Sequence, residues 1–192
     1  MIPKKKDDKK YSYADYLTWT EEERWELING EAWSMSPAPT TAHQKISLRL
    51  TIEIASFLKG KSCDLFVAPF DVRFVKDKSQ QDQDIFITLQ PDLSVICDRS
   101  KIDEKGCFGS PDLIVEILSP STGYKDETQK LSIYEEYGVK EYWIVNPDRK
   151  SIQIFLYNGE DFNKPAYYKS NDMINSTVLK GFQIALKNIF QE

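Results

Sequence analysis

Apolar residues fill nearly every position of two short runs, Leu93-Ser94-Val95-Ile96 and Leu113-Ile114-Val115-Glu116-Ile117-Leu118. Segments apolar on both faces are predicted to be strands covered on both sides. Each run opens on Pro-Asp, at Pro91-Asp92 and Pro111-Asp112, which suits the start of a strand rather than its interior. Glu116 breaks the pattern. It stands between Ile114 and Leu118 on one face, with Val115 and Ile117 on the other. An isolated charge there is very costly, so Glu116 is expected to be paired, protonated or bound to a cation.

Elsewhere the pattern alternates or recurs at helical spacing. Ser12 and Asp15 have capping-box spacing and predict a short helix ending near Thr18. Trp25–Ile28 and Glu31–Met35 flank Asn29-Gly30, a hairpin signal, and Glu21, Glu22 and Glu23 before it read as a solvated face. Ser36-Pro37-Ala38-Pro39 closes the second strand, and Thr40 or Thr41 is placed to cap a helix from about Ala42 to Lys59. Its buried stripe is Ile46, Leu50, Ile54, Phe57 and Leu58.

A strand begins at Leu65–Ala68, and Phe70, Val72 and Phe74 then alternate with Asp71 and Arg73 as a half-buried strand. Lys76–Asp84 reads as a mobile hairpin tip, from which Ile85–Leu89 runs into the Asp92 strand, and Asp98–Ser110 reads as a loop. Ser121 or Thr122 is a candidate cap for a second helix from about Lys125 to Tyr137, stopped by Gly138. Glu141–Val145 and Ser151–Tyr157 predict strand, turn, strand. Ala166–Lys169 and Ser176–Leu179 are read as short edge strands, and Leu186–Phe190 as a terminal helix. The sum is an α+β domain over residues 11–192, preceded by a flexible tail of residues 1–10 with five lysines.

Composition adds bounds. A chain of 192 residues buries a core without staples, and 41% hydrophobic with 29% charged residues is ordinary for a globular protein. The net charge of −5 argues against a general DNA-coating protein but not against an enzyme that meets nucleic acid through a bound divalent ion. No apolar run approaches bilayer length, and the basic N-terminus lacks the apolar core of a secretory signal. Cys63, Cys97 and Cys107 are odd in number and lack metal-ligand spacing, so reduced thiols in a cytoplasmic protein are expected.

The second helix carries the next anomaly. Counting about 100° per residue from Lys130, Tyr134 lies near 40°, Tyr137 near −20°, Ile133 near −60° and Leu131 near 100°. Lys130 therefore falls inside the apolar arc, either snorkelling to solvent or facing a buried acid. The short connection from Leu118 lets Lys130 and Glu116 meet, and that pair either fixes the fold or serves chemistry. With Asp92 from the adjacent strand, two carboxylates and a lysine would surround one cavity. Magnesium binds through one or two carboxylates and keeps waters, so Asp92, Glu116 and the Ile117 backbone carbonyl are the expected metal ligands. Lys130 would orient a water or stabilise transition-state charge. His43, the single histidine, lies one turn before Ile46 on the buried face and is either a hydrogen-bonded structural residue or a catalytic one.

These residues resemble a known family. Pro91-Asp92, Asp112-Leu-Ile-Val-Glu116-Ile-Leu-Ser-Pro-Ser-Thr122, Lys130 and Tyr134-Glu-Glu-Tyr-Gly-Val-Lys-Glu-Tyr-Trp-Ile-Val-Asn-Pro147 are similar to the Uma-two type restriction endonucleases. Trp25-Glu-Leu-Ile-Asn-Gly-Glu31, Met35-Ser-Pro-Ala-Pro39 with His43, and Val67-Ala-Pro-Phe-Asp-Val-Arg73 fit as well, so the likeness spans about residues 25 to 157. It implies the PD-(D/E)XK nuclease superfamily, with a mixed central sheet flanked by helices and a magnesium site (manganese being the alternative ion). By that resemblance Asp92 is the motif aspartate and Glu116 the second acid. The superfamily lysine belongs two residues after the acid, where this chain has Leu118, and the resemblance implies a lysine relocated to the following helix, at Lys130. A further glutamate common in the superfamily corresponds to Glu26 or Glu31. Glu31 is ranked first, because it follows the turn glycine and is expected to point across the cavity. DNA is the implied substrate, and double-strand cutting implies a homodimer. Two other classes stand beside the metal-dependent endonuclease: a nuclease-fold module with a binding or structural role, and a metal-dependent phosphohydrolase of small phosphate esters.

Overall fold

A computed structural model describes residues 7–19, 24–35, 39–119 and 126–191. The expectations on Glu21–Glu23, Ser36–Ala38, the caps at Ser121 or Thr122 and the first six residues of the tail lie outside these.

Helix α1 (Tyr13–Tyr16) is opened by Ser12, whose hydroxyl accepts the Asp15 N–H while the Asp15 carboxylate accepts the Ser12 N–H. The hairpin β1 (Trp25–Ile28) and β2 (Glu31–Ser34) turns at Asn29 and Gly30, both left-handed with φ of 52° and 79°. Helix α2 (Thr41–Leu58) starts at Thr40, whose hydroxyl accepts the His43 N–H, and buries Ile46, Leu50, Ile54 and Leu58. Then come β3 (Asp64–Val67), β4 (Val72–Arg73), β5 (Thr88–Leu89), β6 (Leu93–Ile96), β7 (Ile102–Asp103), β8 (Gly106–Phe108) and β9 (Leu113–Ile117). A π-helical turn, Asp126–Lys130, runs directly into α3 (Leu131–Glu136). The chain continues through β10 (Glu141–Asn146), β11 (Ser151–Leu156), β12 (Ala166–Lys169), β13 (Met173–Asn175), β14 (Gln183–Ala185) and α4 (Leu186–Ile189).

Among the described residues the strands form two six-stranded sheets and a two-stranded one. The first sheet has the order β2-β1-β5-β4-β8-β7 and the second β12-β11-β10-β9-β6-β3. The second is mixed: β9 runs antiparallel to β6 and parallel to β10. Strands β5 and β6, read from sequence as one continuous approach, belong to different sheets, and Gln90-Pro91-Asp92 makes the passage between them. Proline lacks a ladder donor, so the pairing breaks there with no N–H left unpaired.

The second sheet is covered on both faces. Val115 and Ile117 pack with α2, α4 and the C-terminal strands, while Ile114 and Leu118 face Val72, Phe74 and Leu89 of the first sheet together with Ile133 and Tyr134 of α3. The alternation in the Glu116 run is therefore the partition between two cores, each such side chain contributing about 1.5–3 kcal/mol on burial. Glu116 belongs to the face shared with α3.

Three local expectations are corrected. Arg73 is buried, with 2% exposed, because β4 lies between β5 and β8 in the sheet interior. Its guanidinium meets Asp103 at 2.5 Å and lies 5.3 Å from the ring centres of Tyr13 and Phe108. Ser176–Leu179 is a turn and not a strand, since the buried Glu141 carboxylate accepts the Ser176 and Thr177 hydroxyls and the N–H groups of Thr177 and Val178 at 2.8–3.0 Å. Cys63 and Cys97 form a disulfide instead of remaining thiols, because the antiparallel pairing of β3 with β6 sets them side by side across 34 residues. Cys107 is free and buried.

The acid–base consequence of this packing is alkaline sensitivity. Burial, then the Asp71 carboxylate, pushes the Tyr13 and Tyr16 phenols far up, and burial pushes the Cys107 thiol up to about 12. These groups keep their protons in the folded chain after their unfolded counterparts, at 10.0 for tyrosine and 9.0 for cysteine, have begun to lose them. Their stabilisation is complete below the unfolded values and is lost as pH rises. Melting temperature is expected to hold steady from pH 7 to 8 and fall by roughly 10 °C by pH 11. A flat profile in circular-dichroism melts over that range would contradict it.

Candidate active site

In the β6–β9 ladder Leu93 pairs with Val115, so Asp92, one residue before β6, lies opposite Glu116. The ladder ends here. The Ile117 N–H has the Asp92 carboxylate as its partner, Oδ2 accepting it at 2.7 Å. A strand residue's N–H and C=O project to the same side, so the Ile117 carbonyl also points toward Asp92. The same Oδ2 stands 3.1 Å from His43 Nε2, at the first turn of α2, while Oδ1 makes no hydrogen bond among the described residues. The Asp92 side chain is 20% exposed, which leaves Oδ1 within reach of a ligand from solvent.

Glu116 points the other way, into the apolar layer under α3, and is 4% exposed. Its Oε1 accepts Lys130 Nζ at 2.8 Å and the Tyr134 hydroxyl at 2.6 Å. Lys130 is equally buried and also meets Glu26 Oε1 at 3.0 Å. The ammonium thus bridges a carboxylate from each sheet. Lys130 ends the π-helical turn and Tyr134 follows one helical turn later, so both reach the same carboxylate. Burial, then the Glu116 charge, pushes the Tyr134 phenol well above its ordinary range, which keeps it a donor.

Glu26 ties the two halves together, because its Oε1 also accepts the Gln90 N–H at 3.2 Å, two residues before Asp92. The Gln90 side chain accepts from Arg24 at 2.6 Å and donates to Asp71 at 2.8 Å. The passage between the sheets is thereby held from both sides. Two of the site's carboxylates, Glu116 and Glu26, share the Lys130 ammonium, while Asp92 lies against His43.

The sequence matches the Uma2 family, described as "Putative restriction endonuclease", over residues 13–187. The chain belongs to the Uma2 family. An uncharacterized protein, slr1290, from Synechocystis sp. (strain ATCC 27184 / PCC 6803 / Kazusa) is 28% identical over 155 residues, 79% of this chain and 76% of that protein. The crystal structure of a "putative nuclease belonging to DUF820" from Anabaena variabilis ATCC 29413 superposes with a TM-score of 0.74 at 20% identity, covering 93% of this chain and 97% of that one. That likeness shows the shared restriction-endonuclease-like α+β fold.

In this Uma2 chain the expected residues fall as follows. The register sets Asp92 opposite Glu116 at the end of the ladder, their carboxylates turned to different partners, and Lys130 lies against Glu116. His43, 49 residues away in sequence, contacts Asp92, and its Nδ1 is buried without a partner. The expectation that Glu31 points across the cavity is corrected: Glu31 sits at the turn end of the hairpin, opposite Ile28, with Lys10 Nζ 3.8 Å from its carboxylate. Glu26, ranked second, is the one that reaches Lys130, since it lies three residues before the turn's Asn29 on a fully buried strand. Sequence reasoning took Tyr134 as an apolar stripe residue and did not single out Gln90. The signal for Tyr134 was present: four residues after Lys130, a buried phenol needs an acceptor.

Whether these donors suit a divalent ion follows from their chemistry. Among the described residues no three His, Cys, Asp or Glu side chains converge as a closed metal cage requires. Magnesium asks for less: one or two carboxylates, a carbonyl and waters. Asp92 Oδ1 and the Ile117 carbonyl supply one carboxylate and one carbonyl at the end of the ladder, while Glu116 Oε1 is taken by Lys130 and Tyr134.

Proposed function

We propose that this Uma2 protein is a metal-dependent endonuclease that hydrolyses DNA phosphodiester bonds, with magnesium as the ion and manganese as the substitute. What supports the reading is the strand register that sets Asp92 opposite Glu116 at the end of β6 and β9, with Lys130 bound to Glu116. Asp92, Glu116 and the Ile117 carbonyl would hold the ion. When bound, such an ion polarises the phosphodiester and makes hydroxide available near neutral pH.

The chain's own contribution is positional. The Ile117 N–H and His43 hold Asp92 by one oxygen and leave the other facing outward. Tyr134 and Lys130 orient Glu116 from the buried side. Lys130 places a positive charge at the site, where it is positioned to orient the attacking water or to offset the negative charge that grows on the phosphate. Glu26 keeps that ammonium in place. Substrate DNA and a homodimer with two such sites for double-strand cutting complete the reading.

The test is supercoiled plasmid incubated with the purified protein and magnesium, against Glu116→Ala. Nicked or linear product that requires the ion and disappears in the variant is expected. Undiminished cutting by the variant would overturn the site. No plasmid cleavage, with magnesium-dependent turnover of a small phosphate ester, would overturn the substrate class.

A further inference from the structure

We propose a second ligand site in this chain, for a nucleoside monophosphate, in the open cavity at the end of the second sheet remote from Glu116. The cavity measures about 580 Å³, within the range of small-molecule sites. Strands β9 and β10 run parallel, so Asp112 and Lys140, just before each, meet at the sheet's opposite end, where the Glu141 N–H donates to the Asp112 carbonyl at 3.1 Å. Along β9 this cavity lies roughly 13 Å from Glu116, at about 3.3 Å per residue.

The polar side of the cavity is a built cationic wall. Asp112, 4% exposed, accepts the Cys97 N–H at 2.7 Å and Lys140 Nζ at 2.6 Å. The carboxylate anchors Lys140, whose ammonium has three donors and whose side chain stays 66% exposed. Lys180, from the turn between β13 and β14, lines the same cavity and has no partner among the described residues. The carboxylates beside the cavity, Asp112 and the Glu141 carboxylate behind Thr177 and Val178, are buried, while the Lys140 and Lys180 side chains are exposed at its opening. Ammonium groups presented to solvent at the mouth of a pocket draw an anion.

The remaining lining gives the ligand its second half. Leu156, Tyr157 and Val178 supply an apolar and aromatic side, against which a bare phosphate gains nothing. Asn163 stands between, its Oδ1 accepting from Asn158 at 3.3 Å and its amide N–H groups left to donate. A phosphate on the lysines, a planar base against Tyr157 and a base-edge acceptor at Asn163 use all three features. This proposal does not rest on the nuclease reading.

Calorimetric titration of the full chain with deoxyadenosine 5′-monophosphate, deoxyadenosine and inorganic phosphate tests it. Saturable binding of the monophosphate is expected, weakened about tenfold or more by Lys180→Glu, kept within about threefold by Lys180→Arg, and weakened about tenfold when the phosphate is left off the probe. Lys180 is exposed, so its variants fold, and Asp92→Asn is expected to bind the monophosphate as the native chain does. Absence of saturation at millimolar probe, or equal binding by Lys180→Glu, would overturn the site. Inorganic phosphate binding as tightly as the monophosphate would overturn the nucleoside part. A DNA duplex that displaces the probe, and loses its own affinity in Lys180→Glu, would assign the cavity to DNA backbone instead.

Discussion

Asp92→Asn is expected to slow magnesium-dependent plasmid cleavage by about a hundredfold or more, while shifting the melting temperature by only a few degrees. The asparagine amide oxygen still accepts the Ile117 N–H, which Asp92 Oδ2 now accepts at 2.7 Å, so the end of the β6–β9 ladder is kept. What the change removes is negative charge at the outward oxygen, the one group here that is both ionic and solvent-reachable. Its effect is therefore expected in the ion dependence as well as in the rate, with more magnesium needed for half-maximal cleavage. Parallel measurements of cleavage against magnesium concentration and of thermal melting separate this from simple unfolding. A folded variant that cuts at the native rate would remove Asp92 from the site.

Lys130→Met is expected to cost about 3–5 kcal/mol of stability, because it removes the ammonium that two buried carboxylates share. Glu26 and Glu116 are each 4% exposed, so neither recovers its hydration when Lys130 Nζ, at 3.0 and 2.8 Å, is lost. The melting temperature should fall by roughly 6–20 °C at neutral pH. Glu26→Gln with Lys130→Met and Glu116→Gln, which removes all three charges of this bridge, should regain most of the loss. A Lys130→Met chain as stable as the native one would show that the ammonium does not neutralise this pair.

Much of this site was legible because buried charge contradicts the hydrophobic pattern around it. Glu116 interrupts an apolar run and Lys130 an apolar helical face, and each anomaly asked for a partner. The helical count held despite the π turn, since Lys130 ends that turn and the residues counted from it lie in regular helix. Glu26 was harder to separate from Glu31. Both glutamates flank the same hairpin, and only the placement of β1 beside β5, under α3, decides which one reaches the lysine. Arg73 failed for a related reason. Alternation along a two-residue strand cannot show that both of its faces are covered.

By itself the sequence determined the local elements: the Ser12 cap, the Asn29-Gly30 turn, the buried stripe of α2, and the two Pro-Asp strands with the acid and lysine that must be neutralised. These follow from short-range sterics and periodicity, which a few adjacent residues set. Only the tertiary structure decided that Pro91 divides two sheets, that Cys63 joins Cys97, that His43 reaches Asp92 across 49 residues, and that Glu26 closes the bridge to Lys130. Those outcomes depend on which strands become neighbours. Strand pairing is set by the burial of whole faces against one another, and no single segment carries that information.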